Sequence, residues 1–141
     1  MMKPYEYLPH TAEAKFAAYG SSLEETFVNA ALALENIIVD TSVVKPKLKK
    51  KIVIETKRLE SLLYDFLQEL LILFDGSGFV MHGIEELHIQ QRGSDYVLSC
   101  TALGDHAKHY AMLSGVKSVT YNEMEIVQSK KGWKIVVVLD V

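Results

Sequence analysis

The chain has a single cysteine, one tryptophan and only three prolines among its 141 residues. One thiol cannot build a disulfide framework. Cys100 lies in Tyr96-Val-Leu-Ser-Cys-Thr-Ala-Leu103, where two-residue alternation puts it on one face with Tyr96, Leu98 and Ala102, so a buried structural thiol is expected. A basic excess is also missing: Lys+Arg total 15 against Asp+Glu 18, for a net charge of −3. Without that excess, the attraction behind most non-specific nucleic-acid affinity is weak, and direct tight binding of RNA or DNA is disfavoured. No charged-then-apolar leader opens the sequence, and the longest apolar stretch is broken by Asp65, Gln68 and Glu69, short of a membrane span. A soluble cytoplasmic protein with no membrane contact is expected. Internal repeats and low-complexity segments are absent as well. Residues 1–141 read as a single domain, long enough to bury roughly 70% of its unfolded surface without a disulfide or structural metal.

What is present is periodic. Ser22-Leu-Glu-Glu25 has the form of a capping box, and Leu23, Phe27, Ala30, Ala31, Leu34 and Ile38 then recur at helical spacing until Asp40-Thr-Ser. A second helix is drawn by Leu59, Leu62, Leu63, Phe66, Leu67, Leu70, Leu71 and Phe74, and Asp75-Gly-Ser-Gly78 supplies its exit. Stretches 15–19, 51–55, 79–89, 96–103, 116–127 and 133–139 are rich in β-branched or aromatic residues and are separated by turns bearing glycine. The pattern predicts an α+β fold: a two-layer sandwich with a mostly antiparallel sheet of about six strands and both helices on one face. The run Lys45-Pro-Lys-Leu-Lys-Lys-Lys51 reads as a solvated link into a strand.

The two ends of the chain carry the most suggestive chemistry. Lys134-Ile-Val-Val-Val-Leu-Asp140-Val141 delivers one carboxylate and the terminal carboxylate at adjacent positions. Near the other end, Tyr7-Leu-Pro-His10-Thr-Ala-Glu13 offers a third oxygen donor in Glu13. Hard oxygen donors from separated strands are what calcium and magnesium sites are made of, and clustering them without a cation would be repulsive. Taken singly, each acid is equally well explained as a solvated strand-end charge.

Several blocks of the sequence resemble the archease family. They are Tyr5-Glu-Tyr-Leu-Pro-His-Thr-Ala-Glu13, the Ala17-Ala-Tyr-Gly20 turn, Val39-Asp-Thr41, Leu62-Leu-Tyr-Asp-Phe-Leu-Gln-Glu-Leu-Leu71, Val116-Lys-Ser-Val-Thr-Tyr121 and Val138-Leu-Asp-Val141. The resemblance runs through the whole chain in the same order. It implies a non-enzymatic accessory protein that promotes guanylylation and multiple turnover of an RtcB-type tRNA-splicing ligase, touching RNA only through that complex. It also implies a bound divalent cation, usually calcium, at Glu13, Asp140 and Val141. The sequence departs from the family pattern at Glu13, where aspartate is usual, and at Gln68 and Ser118, where asparagine and alanine are common. Two alternatives use the same residues: a small metal-dependent hydrolase, for which no nucleophile with its base can be found, and a general chaperone for RNA- or DNA-modifying proteins. Self-association is not legible.

Further candidates are weighed beside simpler readings. His10 belongs to the N-terminal block. Lys117 and Thr120 lie in the 116–127 stretch, where alternation would set Lys117, Val119 and Tyr121 on one face, with Lys117 aimed at an anion or at solvent. Asp65 and Glu69 share a helical face and could meet a basic ligase surface, although a solvated face explains them too. Asp40 fits turn chemistry. His106 and His109 have zinc-like spacing but lack a soft third ligand nearby.

Overall fold

In a computed structural model the described residues are 3–141. Eight strands and two helices follow one another: β1 (Tyr5–Leu8), β2 (Ala14–Gly20), α1 (Leu23–Ile38), β3 (Leu48–Thr56), α2 (Leu59–Ser77), β4 (Phe79–Arg92), β5 (Asp95–His106), β6 (Ser118–Val119), β7 (Glu125–Ser129) and β8 (Gly132–Asp140). Short 3-10 turns at Thr41–Val43 and Ala107–His109 complete the chain.

Both helices start and stop for the reasons written in the sequence. Ser22 Oγ accepts the Glu25 N–H at 3.1 Å, while the Glu25 carboxylate reaches back to the Ser21 N–H at 2.8 Å, one residue earlier than a standard capping box. Helix α2 ends at Gly78, whose φ of 70° is left-handed. A Cβ there would also meet the His106 ring at 2.8 Å. Phe27 of α1 stacks on Phe66 of α2 with ring centroids 6.0 Å apart, joining the helices at the centre of the core.

The α+β class and the antiparallel pairing are as the sequence predicts, but the strands divide into two sheets. One runs β1-β2-β8-β6, with β7 pairing β8 as well, and the other runs β3-β5-β4; every pairing is antiparallel. Each helix touches both sheets, α1 against β1, β2, β8 and β4, and α2 against β3, β4, β5, β6 and β7. The single sheet of about six strands is therefore corrected to eight strands in two sheets sharing a helical layer. Two local facts account for the difference. β1 is only four residues long and runs into Pro9, too short to announce itself. The 116–127 stretch is two strands, β6 and β7, parted by a turn in which Met124 N–H bonds Tyr121 O at 3.2 Å and Glu123 takes a φ of 54°.

Strand β8 sits between β2 and the short pair β6 and β7, and Ile135 through Leu139 are all buried. A strand enclosed on both faces needs a continuous apolar run rather than alternation, which is what Ile-Val-Val-Val-Leu provides. Cys100 is buried in the core as a free thiol, and desolvation pushes its pKa up to about 11, so it is inert at neutral pH. Among the described residues no helix is long and apolar enough to cross a membrane.

Candidate functional site

The register of the first sheet brings the chain extremities together. Ala14 opposes Leu139 as the last pair of the β2–β8 ladder, so Glu13 and Asp140 continue from that pair on neighbouring strands. On the other side of β8, Ser118 opposes Asp140 and Val119 opposes Leu139. The Lys117 N–H donates to Asp140 O at 2.8 Å, and Thr120 donates from both its N–H (3.2 Å) and its hydroxyl (2.8 Å) to Val138 O. Bonds from the residues flanking β6 thus hold the end of β8 in place, and Asp140 and Val141 project exposed from it.

A polar network surrounds Glu13. His10 Nε2 lies 2.8 Å from Glu123 Oε2, Lys15 Nζ donates to Glu123 Oε1 at 3.1 Å, and His10 Nδ1 stands 3.6 Å from Glu13 Oε1. The last distance is too long for a hydrogen bond, and Nδ1 is buried without a partner. The bond to Glu123 raises the His10 pKa against the opposing effect of burial, and the same bond, with Lys15, lowers that of Glu123. His10 is therefore held towards its cationic form between two carboxylates. The loop carrying it includes Ala12 at φ 61°, left-handed backbone that costs a non-glycine residue about 1 kcal/mol.

This end of the sheet carries Glu13, Asp140 and Val141, the residues that the family resemblance names for a cation. Among the described residues no three His, Cys, Asp or Glu side chains gather as a metal-ligating group. The donors are all oxygen, which suits calcium or magnesium, and Glu13 would exchange its long contact with His10 for the ion.

Of the residues singled out in the sequence, His10, Glu13, Lys117, Thr120, Asp140 and Val141 come to this one end. Lys117 is exposed outside β6, and Thr120 acts through its bonds to β8. The alternation expected for Lys117, Val119 and Tyr121 fails because the strand stops at Val119, which is buried, whereas Tyr121 turns outwards to stack on Tyr64 at 4.4 Å. Asp65 and Glu69 lie apart on α2, lining a shallow groove with Val53, Ile54 and Ile72. Their neighbour Gln68 reaches the site's support, its Oε1 accepting the Val119 N–H at 3.2 Å. Asp40 is used locally, accepting from Ser42 N–H (3.0 Å) and Ser42 Oγ (2.6 Å) to cap the 3-10 turn. His106 likewise caps its own turn, accepting the Lys108 N–H at 3.0 Å.

Sequence reasoning missed Lys15 and Glu123. The available signal was Asn122, a turn residue inside a stretch otherwise rich in strand formers.

Comparison with known proteins places this geometry in a family. Residues 5–141 match the model of the archease protein family. The chain is 41% identical over 141 residues to a protein archease of Methanosarcina barkeri, covering 99% of this chain and 97% of that one. It is 38% identical over 144 residues to the protein archease of Pyrococcus furiosus, covering 99% and 100%. A solution structure from Methanobacterium thermoautotrophicum superposes with a TM-score of 0.85 at 35% identity, covering 99% of this chain and all of that one. A crystal structure from Thermotoga maritima, described as an archease and possible chaperone, shares the fold at a TM-score of 0.59 and 19% identity. With a family match over nearly the whole length and relatives close to 40% identical, the chain belongs to the archease family.

Proposed function

We propose that this protein is a non-enzymatic accessory factor that activates an RtcB-type tRNA-splicing ligase, promoting its guanylylation and repeated turnover. The acting surface in this reading is the end of the first sheet, with calcium or another hard divalent cation held by Glu13, Asp140 and the terminal carboxylate of Val141. One observation carries it: the last β2–β8 pair, Ala14 opposite Leu139, makes neighbours of residues more than a hundred positions apart in sequence. Family membership and the chaperone description of the Thermotoga relative support an accessory role.

When bound, the cation supplies a positive charge at an otherwise acidic edge and open positions for oxygen ligands from a partner. The protein's own residues do the positioning. Lys117, just before β6, fixes the Asp140 backbone through its N–H, Thr120 secures Val138, and the His10 ring stands 3.6 Å from Glu13. An activator works by binding the competent state of its partner more tightly than the resting state, so no bond-making group is required of it.

The test is ligation by the cognate ligase under multiple-turnover conditions. Wild-type protein should sustain repeated turnover, and Asp140→Ala, verified as folded by circular dichroism, should leave the ligase at a single round. Equal stimulation by the two proteins would refute the assignment.

A further inference from the structure

The second sheet has a surface of opposite character. Residues 45–51 contain five lysines and no acid, in a chain whose net charge is −3. Strand β3 begins inside this run at Leu48, pairs with β5 in the order β3-β5-β4, and so forms the edge of its sheet. Burial alternates along it. Ile52 is buried and Ile54 half-buried against the core, while Lys49, Lys51 and Val53 are exposed on the opposite face. At about 3.4 Å per residue, Lys49 and Lys51 stand roughly 7 Å apart on that face, close to the separation of successive phosphates along an extended nucleic-acid strand.

Just before the strand, Lys45-Pro46-Lys47 closes a tight turn, with the Lys47 N–H bonding Lys45 O at 3.0 Å. Lys45 and Lys47 then line a recess of about 200 Å³ together with Asp105, His109 and Tyr110. The wall is fixed by Tyr110, whose hydroxyl donates to Asp105 Oδ2 at 2.7 Å and accepts the Lys45 N–H at 2.9 Å. The one acid of the lining, Asp105, is 7% exposed and also accepts the His106 N–H at 2.8 Å, so a single buried carboxylate faces the two lysines. Among the described residues, no ion pair engages Lys45, Lys47, Lys49, Lys50, Lys51 or Lys108.

The geometry points to a binding surface for the phosphodiester backbone of a single nucleic-acid strand, running from the Lys45/Lys47/His109 recess along the solvent face of β3 to Lys51. The choice of residue favours phosphate over carboxylate. All five cations of the run are lysines, point charges suited to tetrahedral phosphate, and none brings the planar arginine fork that grips carboxylates in pairs. No aromatic side chain lies on β3 to stack a base, so recognition is independent of sequence. Protection of an edge strand against pairing with other chains accounts for Lys49 to Lys51. It does not account for a walled recess ahead of the strand with two further lysines on its rim. The surface lies on the second sheet and is independent of the acidic end of the first.

The experiment is fluorescence anisotropy of a labelled, mixed-sequence single-stranded oligonucleotide with the full chain across a salt series. Four lysine–phosphate contacts give a log–log slope of about −2.8, a weakening of roughly fifty-fold between 50 and 200 mM salt. Combining Lys47→Glu, Lys49→Glu and Lys51→Glu should weaken binding at least about tenfold and flatten the slope. The milder pair Lys45→Gln and Lys47→Gln should lower both in part, with folding checked by circular dichroism. Lys130→Ala with Lys131→Ala, in the β7–β8 hairpin, should leave affinity unchanged. Absence of salt-dependent binding, or binding indifferent to the lysine variants, would overturn the proposal and leave edge protection as the role of the run. Equal displacement of the oligonucleotide by poly-glutamate would also overturn it, assigning the patch to an acidic protein surface.

Discussion

The two sheets end in opposite chemistry, and they handle their charges differently. At the end of the first sheet Glu13 faces His10, His10 bonds Glu123, and Glu123 also takes Lys15, so these four charges form one network. Along the edge of the second sheet the lysines of 45–51 have no ion-pair partner among the described residues. A net charge of −3 therefore conceals two surfaces of different character, one a mixed network of paired charges and acids, the other a run of unpaired lysines. A third case sits inside the core. Glu35 is 1% exposed; its Oε1 accepts the Met81 N–H at 2.9 Å and its Oε2 has no partner. Burial pushes its pKa up from 4.5 to about 7.

Each of these three environments can be broken separately. The largest effect is expected at the acidic end, where Asp140→Ala should weaken calcium binding by more than about a hundredfold in a calorimetric titration, since loss of mere supporting residues already costs about ten- to a hundredfold. Next is Glu35→Gln. Between pH 4.5 and 7 the folded chain keeps the Glu35 proton that the unfolded chain has released, so stability falls as pH rises through this window and stays low above it. The fall amounts to about 3 kcal/mol. The amide variant should lose this slope and be more stable by a similar amount above pH 7, as read from urea unfolding at several pH values. Thr120→Val, which removes one bond to Val138 O, should cost about 1 kcal/mol and loosen β6 from the end of β8.

Smaller still is the response of His10. Its raised pKa means that its pairing with Glu123 stabilises the fold at low pH and is lost as pH rises through the folded value. Glu123→Gln should return that pKa towards the ordinary imidazole range, as followed by NMR of the ring nitrogens. Last, Lys49→Glu with Lys51→Glu should leave calcium affinity within about twofold, because exposed charges on the other sheet are screened by salt. A larger change would show that the two surfaces are coupled.

The parts of the fold that sequence made legible are those governed by local periodicity. The start of α1 agrees with the sequence reading, because Ser22 caps it, and its end at Ile38 falls two residues short of the Asp40 at which the sequence closes the run. The strand 133–139 was evident from an unbroken apolar run. What was hidden depends on partners distant in the chain. Nothing in Leu48–Thr56 says that its neighbour is β5 and not β2, so the division into two sheets could not be read. Lys15 and Glu123 are ordinary surface charges until the turn at Tyr121–Met124 swings Glu123 over β2. The pairing of the two chain ends was legible only through family resemblance, since an acid near each terminus has many simpler explanations. The lysine run was visible but read as a linker, because its partner residues His109 and Tyr110 arrive from beyond β5.

The central claim is that the two chain extremities hold one cation between them. Calcium titration of isotopically labelled protein, followed through the backbone and carboxylate resonances, tests it most directly. Saturable shifts should centre on Glu13, Asp140 and Val141, with His10 responding as Glu13 is drawn away from Nδ1. Saturation without movement at Glu13 and Asp140, or no saturable shift at all, would contradict the account.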